Sequence, residues 1–124
     1  MRTLSNKTVL IVDNKPEDIA IIKVALKGHY KVYGATGSIE ALDLMNRKKV
    51  NLFLIDTVLP YIDGYDLALL IRMDNRYTET PILFLGEQAT RGHVMSSMEA
   101  GGNDFIIKSN DRAQFLDKVK SYLG

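Results

Sequence analysis

The chain has 124 residues, 46% of them hydrophobic, which is enough for one domain with a substantial buried core. It has no cysteine, so disulfides and thiol chemistry are excluded and a reducing cytoplasm is favoured. Sixteen basic and fifteen acidic residues leave a net charge of +1, which by itself indicates neither a nucleic-acid nor a membrane partner.

No apolar run approaches the roughly 18 residues of a membrane span. The N-terminus is too short and too polar for a signal peptide. We therefore expect a single cytoplasmic domain over residues 1–124.

Five short apolar runs predict five β-strands, and three of them are almost entirely apolar, as in strands of a parallel sheet that are covered on both faces. In chain order they are Thr8–Asp13, Tyr30–Ala35, Val50–Asp56, Pro81–Gly86 and Asp104–Lys108.

Helical patterns fill the intervals between these runs. The first begins near Pro16, where the acids Glu17 and Asp18 suit the positive N-terminus of a helix, and stops at Gly28. Ser38 is expected to cap the second. The remaining three are residues 64–73, 89–101 and 111–123, and Gly92 weakens the fourth helix.

Alternation of strands and helices predicts an α/β fold, a three-layer (βα)5 sandwich with right-handed crossovers. We expect a flavodoxin-like parallel sheet of order 2-1-3-4-5, one of the common doubly wound arrangements.

Acidic and basic residues stand where the predicted strands end. Because ligands bind outside the carboxyl ends of such strands, Asp13 and Asp56 should face each other there. Two close carboxylates repel and need a cation between them, for which Mg²⁺ is suited, and Lys108 would add a second positive charge. Pro60 and the Asp63-Gly64 pair are expected to serve only as turn residues.

The segments IVDN, LIDTVLPYIDGYDL and FIIK, at these separations, resemble the receiver domain of two-component response regulators. The resemblance covers Lys7 to Leu123. It implies that Asp56 is the phosphoacceptor for a histidine kinase or a phosphotransfer protein, and that Lys108 contacts the phosphoryl group. It also implies that Asp13, Asp56 and the backbone carbonyl of Val58 hold Mg²⁺. No enzymatic activity is expected beyond self-phosphorylation and self-dephosphorylation.

Two departures from the family pattern concern the metal and the switch. Asn14 replaces the second of two adjacent acids, so its contribution to Mg²⁺ binding should be weak or water-mediated, and the neighbouring Lys15 adds to that effect. Gly86 stands where the family has Ser or Thr, whose hydroxyl normally moves the switch aromatic, here Phe105. We therefore predict that phosphorylation leaves Phe105 largely unmoved.

Two further departures lie nearby. Glu87 replaces a small residue, and the sequence leaves open whether it hinders the phosphoryl group or points to solvent. Ser109 replaces a proline that commonly follows a cis bond. Because a cis bond before other residues costs about 2.5–4 kcal/mol, we expect a trans bond and a shifted loop.

These departures keep a second hypothesis open, in which the chain is a degenerate pseudo-receiver that binds proteins without phosphorylation. A haloacid dehalogenase-type phosphatase would need an acid where Val58 stands, and a flavin carrier would need a phosphate-cradling loop in place of DNKPED.

An effector is expected to bind the face formed by the fourth helix, fifth strand and fifth helix. We assign Arg91, Met95, Phe105 and Lys120 to this face. No nucleic-acid or membrane contact by this domain is expected.

Overall fold

The computed structural model describes residues 6–109 and 111–124. Five strands and five α-helices alternate along them, with one short 3₁₀ turn at Asn75–Tyr77. The strands are β1 (Thr8–Val12), β2 (Lys31–Ala35), β3 (Leu52–Asp56), β4 (Ile82–Gly86) and β5 (Asp104–Ile107). The helices are α1 (Pro16–Leu26), α2 (Ser38–Arg47), α3 (Gly64–Met73), α4 (Arg91–Glu99) and α5 (Arg112–Leu123).

The strands form one parallel sheet in the order β2-β1-β3-β4-β5, which confirms the predicted topology. Every residue of β1, β3 and β4 is buried, as their continuous apolar sequences predict. The edge strands β2 and β5 are only partly buried.

Two apolar clusters, one on each face of the sheet, make up the core. One packs α2 and α3 against side chains that include Phe53 and Phe84. The other packs α1 and α5 against side chains that include Leu54 and Leu85. Successive strand residues therefore serve opposite layers, which gives the predicted three-layer architecture.

The start of α2 differs from the expectation. Its N-cap is Gly37, and Ser38 is the first helical residue. The Ser38 hydroxyl is buried and donates a hydrogen bond to the carbonyl oxygen of Ile62 at 2.7 Å. The prediction that Ser38 caps the helix was wrong, because its hydroxyl ties α2 to the loop after β3 instead of satisfying the helix N-terminus.

The other predicted helix starts and ends agree well with the structure. Pro16 is the first residue of α1, and Gly28 follows its end with φ of 81°. The fourth helix forms despite Gly92, because the Thr90 side chain caps it by accepting a hydrogen bond from the His93 amide. Within the described chain, no helix combines the length and the apolar character needed to span a membrane.

Candidate functional site

Two buried carboxylates lie side by side at the carboxyl edge of the sheet. Val12 of β1 pairs with Ile55 of β3; Asp13 directly follows β1, and Asp56 is the last residue of β3. Asp13 is fully buried and Asp56 is 5% exposed. The sheet order therefore brings together the two acids that the sequence predicted to be neighbours.

Each acid is oriented by the loop that follows it. Asp13 Oδ1 accepts a hydrogen bond from the Lys15 amide at 2.9 Å, and Asp56 Oδ1 accepts one from the Val58 amide at 3.0 Å. These side chain to i+2 contacts are characteristic of Asx turns. They fix both carboxylates and leave the two Oδ2 atoms for a shared partner.

That shared partner is Lys108, which directly follows β5. Its ammonium nitrogen lies 2.7 Å from Asp56 Oδ2 and 2.8 Å from Asp13 Oδ2. A third carboxylate oxygen, Asp18 Oδ2, lies 2.9 Å from the same nitrogen. The predicted trio of Asp13, Asp56 and Lys108 is thus assembled, together with an acid that the sequence reasoning did not assign to the site.

The position of Asp18 on α1 could have identified it. Sequence reasoning treated this acid only as a favourable charge at a helix N-terminus. Ile22, four residues later, lies on the same helix face and is buried against the sheet. Asp18 lies one helical turn N-terminal to a buried isoleucine and five residues after the strand-end acid Asp13. This spacing indicates a side chain that faces the sheet rather than solvent.

The electrostatics of the cluster keep Lys108 charged. Burial lowers the pKa of Lys108, but hydrogen bonds to the surrounding carboxylates outweigh this effect and raise it above its usual value. Burial raises the pKa of Asp13, although contacts with Lys108 and the Lys15 amide oppose that rise. At neutral pH the site therefore contains a permanent cation.

The residues around the two acids are compatible with Mg²⁺. Asp13 Oδ2 lies close to Lys108 but has no partner with hydrogen-bond geometry. Among the described residues, only two buried side-chain polar atoms lack such a partner, and Asp13 Oδ2 is one of them. Asn14, Asp56 and Val58 line one cleft of about 230 Å³. Across the described residues no three His, Cys, Asp or Glu side chains form a metal cluster. Two carboxylates with neutral oxygens and water are still sufficient for Mg²⁺.

Gly86 at the end of β4 is in contact with Phe105 of β5. A Cβ atom at Gly86 would lie 2.6 Å from Phe105 Cζ, closer than real side-chain contacts allow. The Phe105 ring is also stacked with His93, with 6.5 Å between ring centroids and 4° between planes. The ring therefore fills the space that a larger residue at position 86 would need.

The other departures from the family pattern lie at the rim of the cleft. Glu87 has a side chain that is 70% exposed, with Oε1 3.9 Å from Lys15 Nζ. No cis peptide bond occurs among the described residues, so the bond between Lys108 and Ser109 is trans, as expected. The predicted shift of the following loop involves Asn110, which lies outside the described residues.

The Asp63-Gly64 pair does more than form a turn. Asp63 caps α3 by accepting a hydrogen bond from the Asp66 amide at 2.9 Å. A Cβ atom at Gly64 would lie 2.1 Å from the carbonyl oxygen of Asp56 and 2.9 Å from Thr57 Cα. The expectation that these are turn residues only was wrong, because glycine is needed here for α3 to start directly against the Asp56 backbone.

Fold and site together define a doubly wound α/β protein with paired carboxylates and a lysine at its ligand-binding edge. The family model of the response regulator receiver domain matches residues 9–120, and the chain belongs to this family. Receiver domains act in two-component signalling, are generally not true enzymes, and generally bind Mg²⁺ at the acidic pocket.

Similar proteins agree with this assignment. The chain is 28% identical over 119 residues to a chemotaxis protein CheY homolog of Campylobacter jejuni, covering 94% of this chain and 92% of that protein. It is 29% identical over 123 residues to a Vibrio cholerae protein named "Probable cyclic di-GMP phosphodiesterase", covering 99% of this chain but only 28% of that protein. The structure of Vibrio cholerae chemotaxis protein CheY4 has the same fold, with a TM-score of 0.91 at 21% identity, covering 95% of this chain and 99% of that one.

Proposed function

We propose that this receiver domain accepts a phosphoryl group on Asp56 from a phosphohistidine of a histidine kinase or a phosphotransfer protein. The observation that carries the proposal is the contact of 2.7 Å between Asp56 Oδ2 and Lys108 Nζ at the wall of a solvent-open cleft. It pairs a fixed carboxylate nucleophile with a permanent cation.

The proposed reaction is a displacement at phosphorus. A carboxylate oxygen of Asp56 forms the new P–O bond while the P–N bond to the donor imidazole breaks, and the imidazole leaves with the bonding electrons. Negative charge spreads over the transferring phosphoryl oxygens, and Lys108 stabilises that charge from one side. Hydrolysis of the acyl phosphate by water then returns the Asp56 carboxylate.

Mg²⁺ would be held by Asp13, Asp56 and the Val58 carbonyl, with a weak or water-mediated contribution from Asn14. When bound, it shields the carboxylates from the incoming phosphoryl oxygens and neutralises developing charge. Asn14 supplies a neutral oxygen where a carboxylate would bind the ion more strongly, so we expect weak metal binding.

Receiver domains interact with histidine kinases or phosphotransfer proteins and with effectors. For the effector we propose the surface of α4, β5 and α5, with Arg91, Met95, Phe105 and Lys120 as contacts. In support, the Met95 side chain is 52% exposed, and among the residues of α4 only Ser97 is buried. A helix held so lightly to the core can shift or adapt to a partner at little cost.

Intact-mass measurement after incubation with acetyl phosphate and Mg²⁺ tests the proposal. A single phosphoryl adduct is expected on the wild-type chain and on Asp117→Asn, which removes an exposed carboxylate of α5. The adduct should be lost in Asp56→Asn. No adduct from acetyl phosphate or from a phosphohistidine donor, together with no fluoroberyllate binding, would contradict the proposal.

That negative outcome would favour the second candidate, a pseudo-receiver that acts through protein contacts alone. The contact between Gly86 and the Phe105 ring supports this candidate, because the chain lacks the hydroxyl that normally links a phosphoryl group to the switch aromatic. The assignment of residues 1–124 to one receiver domain in the cytoplasm stays a prediction under both candidates.

A further inference from the structure

The ammonium group of Lys108 is shared among more acids than the proposed reaction uses. It has three N–H donors, and three carboxylate oxygens lie within 2.9 Å of it. Two belong to Asp13 and Asp56, at the strand ends. The third belongs to Asp18, which approaches from α1 and has no part in the chemistry described above.

Asp18 lines a different cavity from the acceptor cleft, and Lys108 lines both. The cleft beside Asp56 and Glu87 and a smaller cavity of about 70 Å³ beside Asp18 and Arg112 both have Lys108 in their lining. The lysine thus borders both spaces. A phosphoryl group on Asp56 would meet it in the acceptor cleft, while Asp18 contacts it beside the second cavity.

The charges of this cluster place Asp18 in competition with an incoming anion. Three carboxylates around one ammonium leave two negative charges uncompensated. The exposed pair at the rim, Lys15 and Glu87, adds no net charge. Asn14 leaves its position on the metal side without a carboxylate that could attract Mg²⁺. Asp18 places a carboxylate beside Lys108, where its negative charge repels a phosphoryl group.

We propose that Asp18 is a positioning residue that restrains Lys108 and lowers the affinity of the acceptor site for phosphoryl groups. The inference rests on the proposed function. Replacing Asp18 by asparagine keeps the shape and an oxygen acceptor for Lys108 but removes the charge, so it isolates the electrostatic effect.

The test measures the affinities for fluoroberyllate and for Mg²⁺ by NMR titration. The proteins compared are the wild-type chain, Asp18→Asn and Glu17→Gln. Glu17 is a matched control, since it is an exposed acid in the same first turn of α1. At saturating Mg²⁺, Asp18→Asn should bind fluoroberyllate roughly three- to tenfold more tightly, the effect expected from removing a partly exposed charge beside an anion site. Without fluoroberyllate, Asp18→Asn should bind Mg²⁺ about two- to fivefold more weakly, because negative charge has been lost. Glu17→Gln should change neither affinity appreciably.

Opposite changes for the two ligands are the signature of this role, because a merely structural loss would weaken both. Equal or weaker fluoroberyllate binding by Asp18→Asn, with normal binding by the wild-type chain, overturns the inference and leaves the proposed function intact. If Asp18→Asn binds fluoroberyllate and the wild-type chain does not, the inference is supported. Asp18 is then sufficient by itself to block the acceptor site. Absence of fluoroberyllate binding in every variant overturns the inference, and it overturns the proposed function as well when no variant forms a phosphoryl adduct.

Discussion

The contact between Gly86 and Phe105 gives a prediction that can be worked out from distances. In Gly86→Ser, the new Cβ atom would start 2.6 Å from Phe105 Cζ and 3.2 Å from Cε1. Carbon atoms attract best at roughly 3.5–4.0 Å, so the ring has to retreat by about 1 Å. It can do so because Phe105 is only partly buried.

The expected cost is moderate. Overpacking of a filled site costs about 1–3 kcal/mol, and replacing a strand glycine returns roughly 0.5–1 kcal/mol of backbone entropy. We expect Gly86→Ser to lower the free energy of unfolding by about 1 kcal/mol. In a Phe105→Ala background the clash is absent, so the same change should be neutral or stabilising, with a coupling energy of about 1–2 kcal/mol.

Urea unfolding of the four variants, followed by far-UV circular dichroism, measures this coupling. Gly37→Ser is the matched control, because a Cβ there has nothing within 4 Å and serine is a good N-cap. Equal effects of Gly86→Ser with and without the Phe105 ring would refute the argument. Ring resonances of Phe105 should also change little when fluoroberyllate binds the wild-type chain, and a large change would contradict the prediction that Phe105 does not act as a switch.

Three further predictions concern other parts of the chain. Asn14→Asp should tighten Mg²⁺ binding by about tenfold, because it adds a carboxylate at the cleft; an unchanged affinity by titration would exclude Asn14 from the metal site. Gly64→Ala should lower the free energy of unfolding by at least about 2 kcal/mol, since its Cβ would meet rigid backbone at 2.1 Å from the Asp56 carbonyl oxygen; a stability near that of the wild type in urea would contradict the contact. Hydrogen bonds from Arg76 lower the pKa of Asp74 to about 2. The stability that ionised Asp74 contributes is therefore present above pH 3.8, its usual pKa, and is lost as the pH falls through about 2. In Arg76→Gln the NMR titration midpoint of Asp74 should move up towards 3.8, and an unmoved midpoint would assign the shift to another cause.

The sequence predicted the fold well because the deciding features are local and repeated. Continuous apolar runs such as LFLI of β3 are unambiguous for strands buried on both faces, and they alternate with helical patterns of ordinary length. The strand-end residues then follow from topology, because adjacent parallel strands bring their carboxyl ends together. Asp13 and Asp56 could therefore be paired without coordinates.

Contacts that depend on tertiary approach could not be predicted in the same way. The need for glycine at position 64 arises from the approach of α3 to the Asp56 backbone, and no local pattern reports that distance. Likewise, Ser38 has the sequence signature of a helix cap. Its hydroxyl instead donates a hydrogen bond to the Ile62 carbonyl oxygen, a contact that only the tertiary structure creates. Asp18 was assigned only to a helix N-terminus because its spacing indicates an inward position but does not identify Lys108 as its partner.

The geometry also separates the proposed phosphoryl acceptance from its usual readout. The proposed acceptance uses groups at the ends of β1, β3 and β5, whereas the switch that the family pattern implies lies at the end of β4, where Gly86 has no side chain to move Phe105. The two properties should therefore respond independently to substitution. Asp56→Asn should abolish the phosphoryl adduct without moving the Phe105 ring, and Gly86→Ser should displace the ring without abolishing the adduct. If Gly86→Ser instead abolished acceptance, the two ends of the site would be coupled through packing, and the separation argued from the geometry would be wrong.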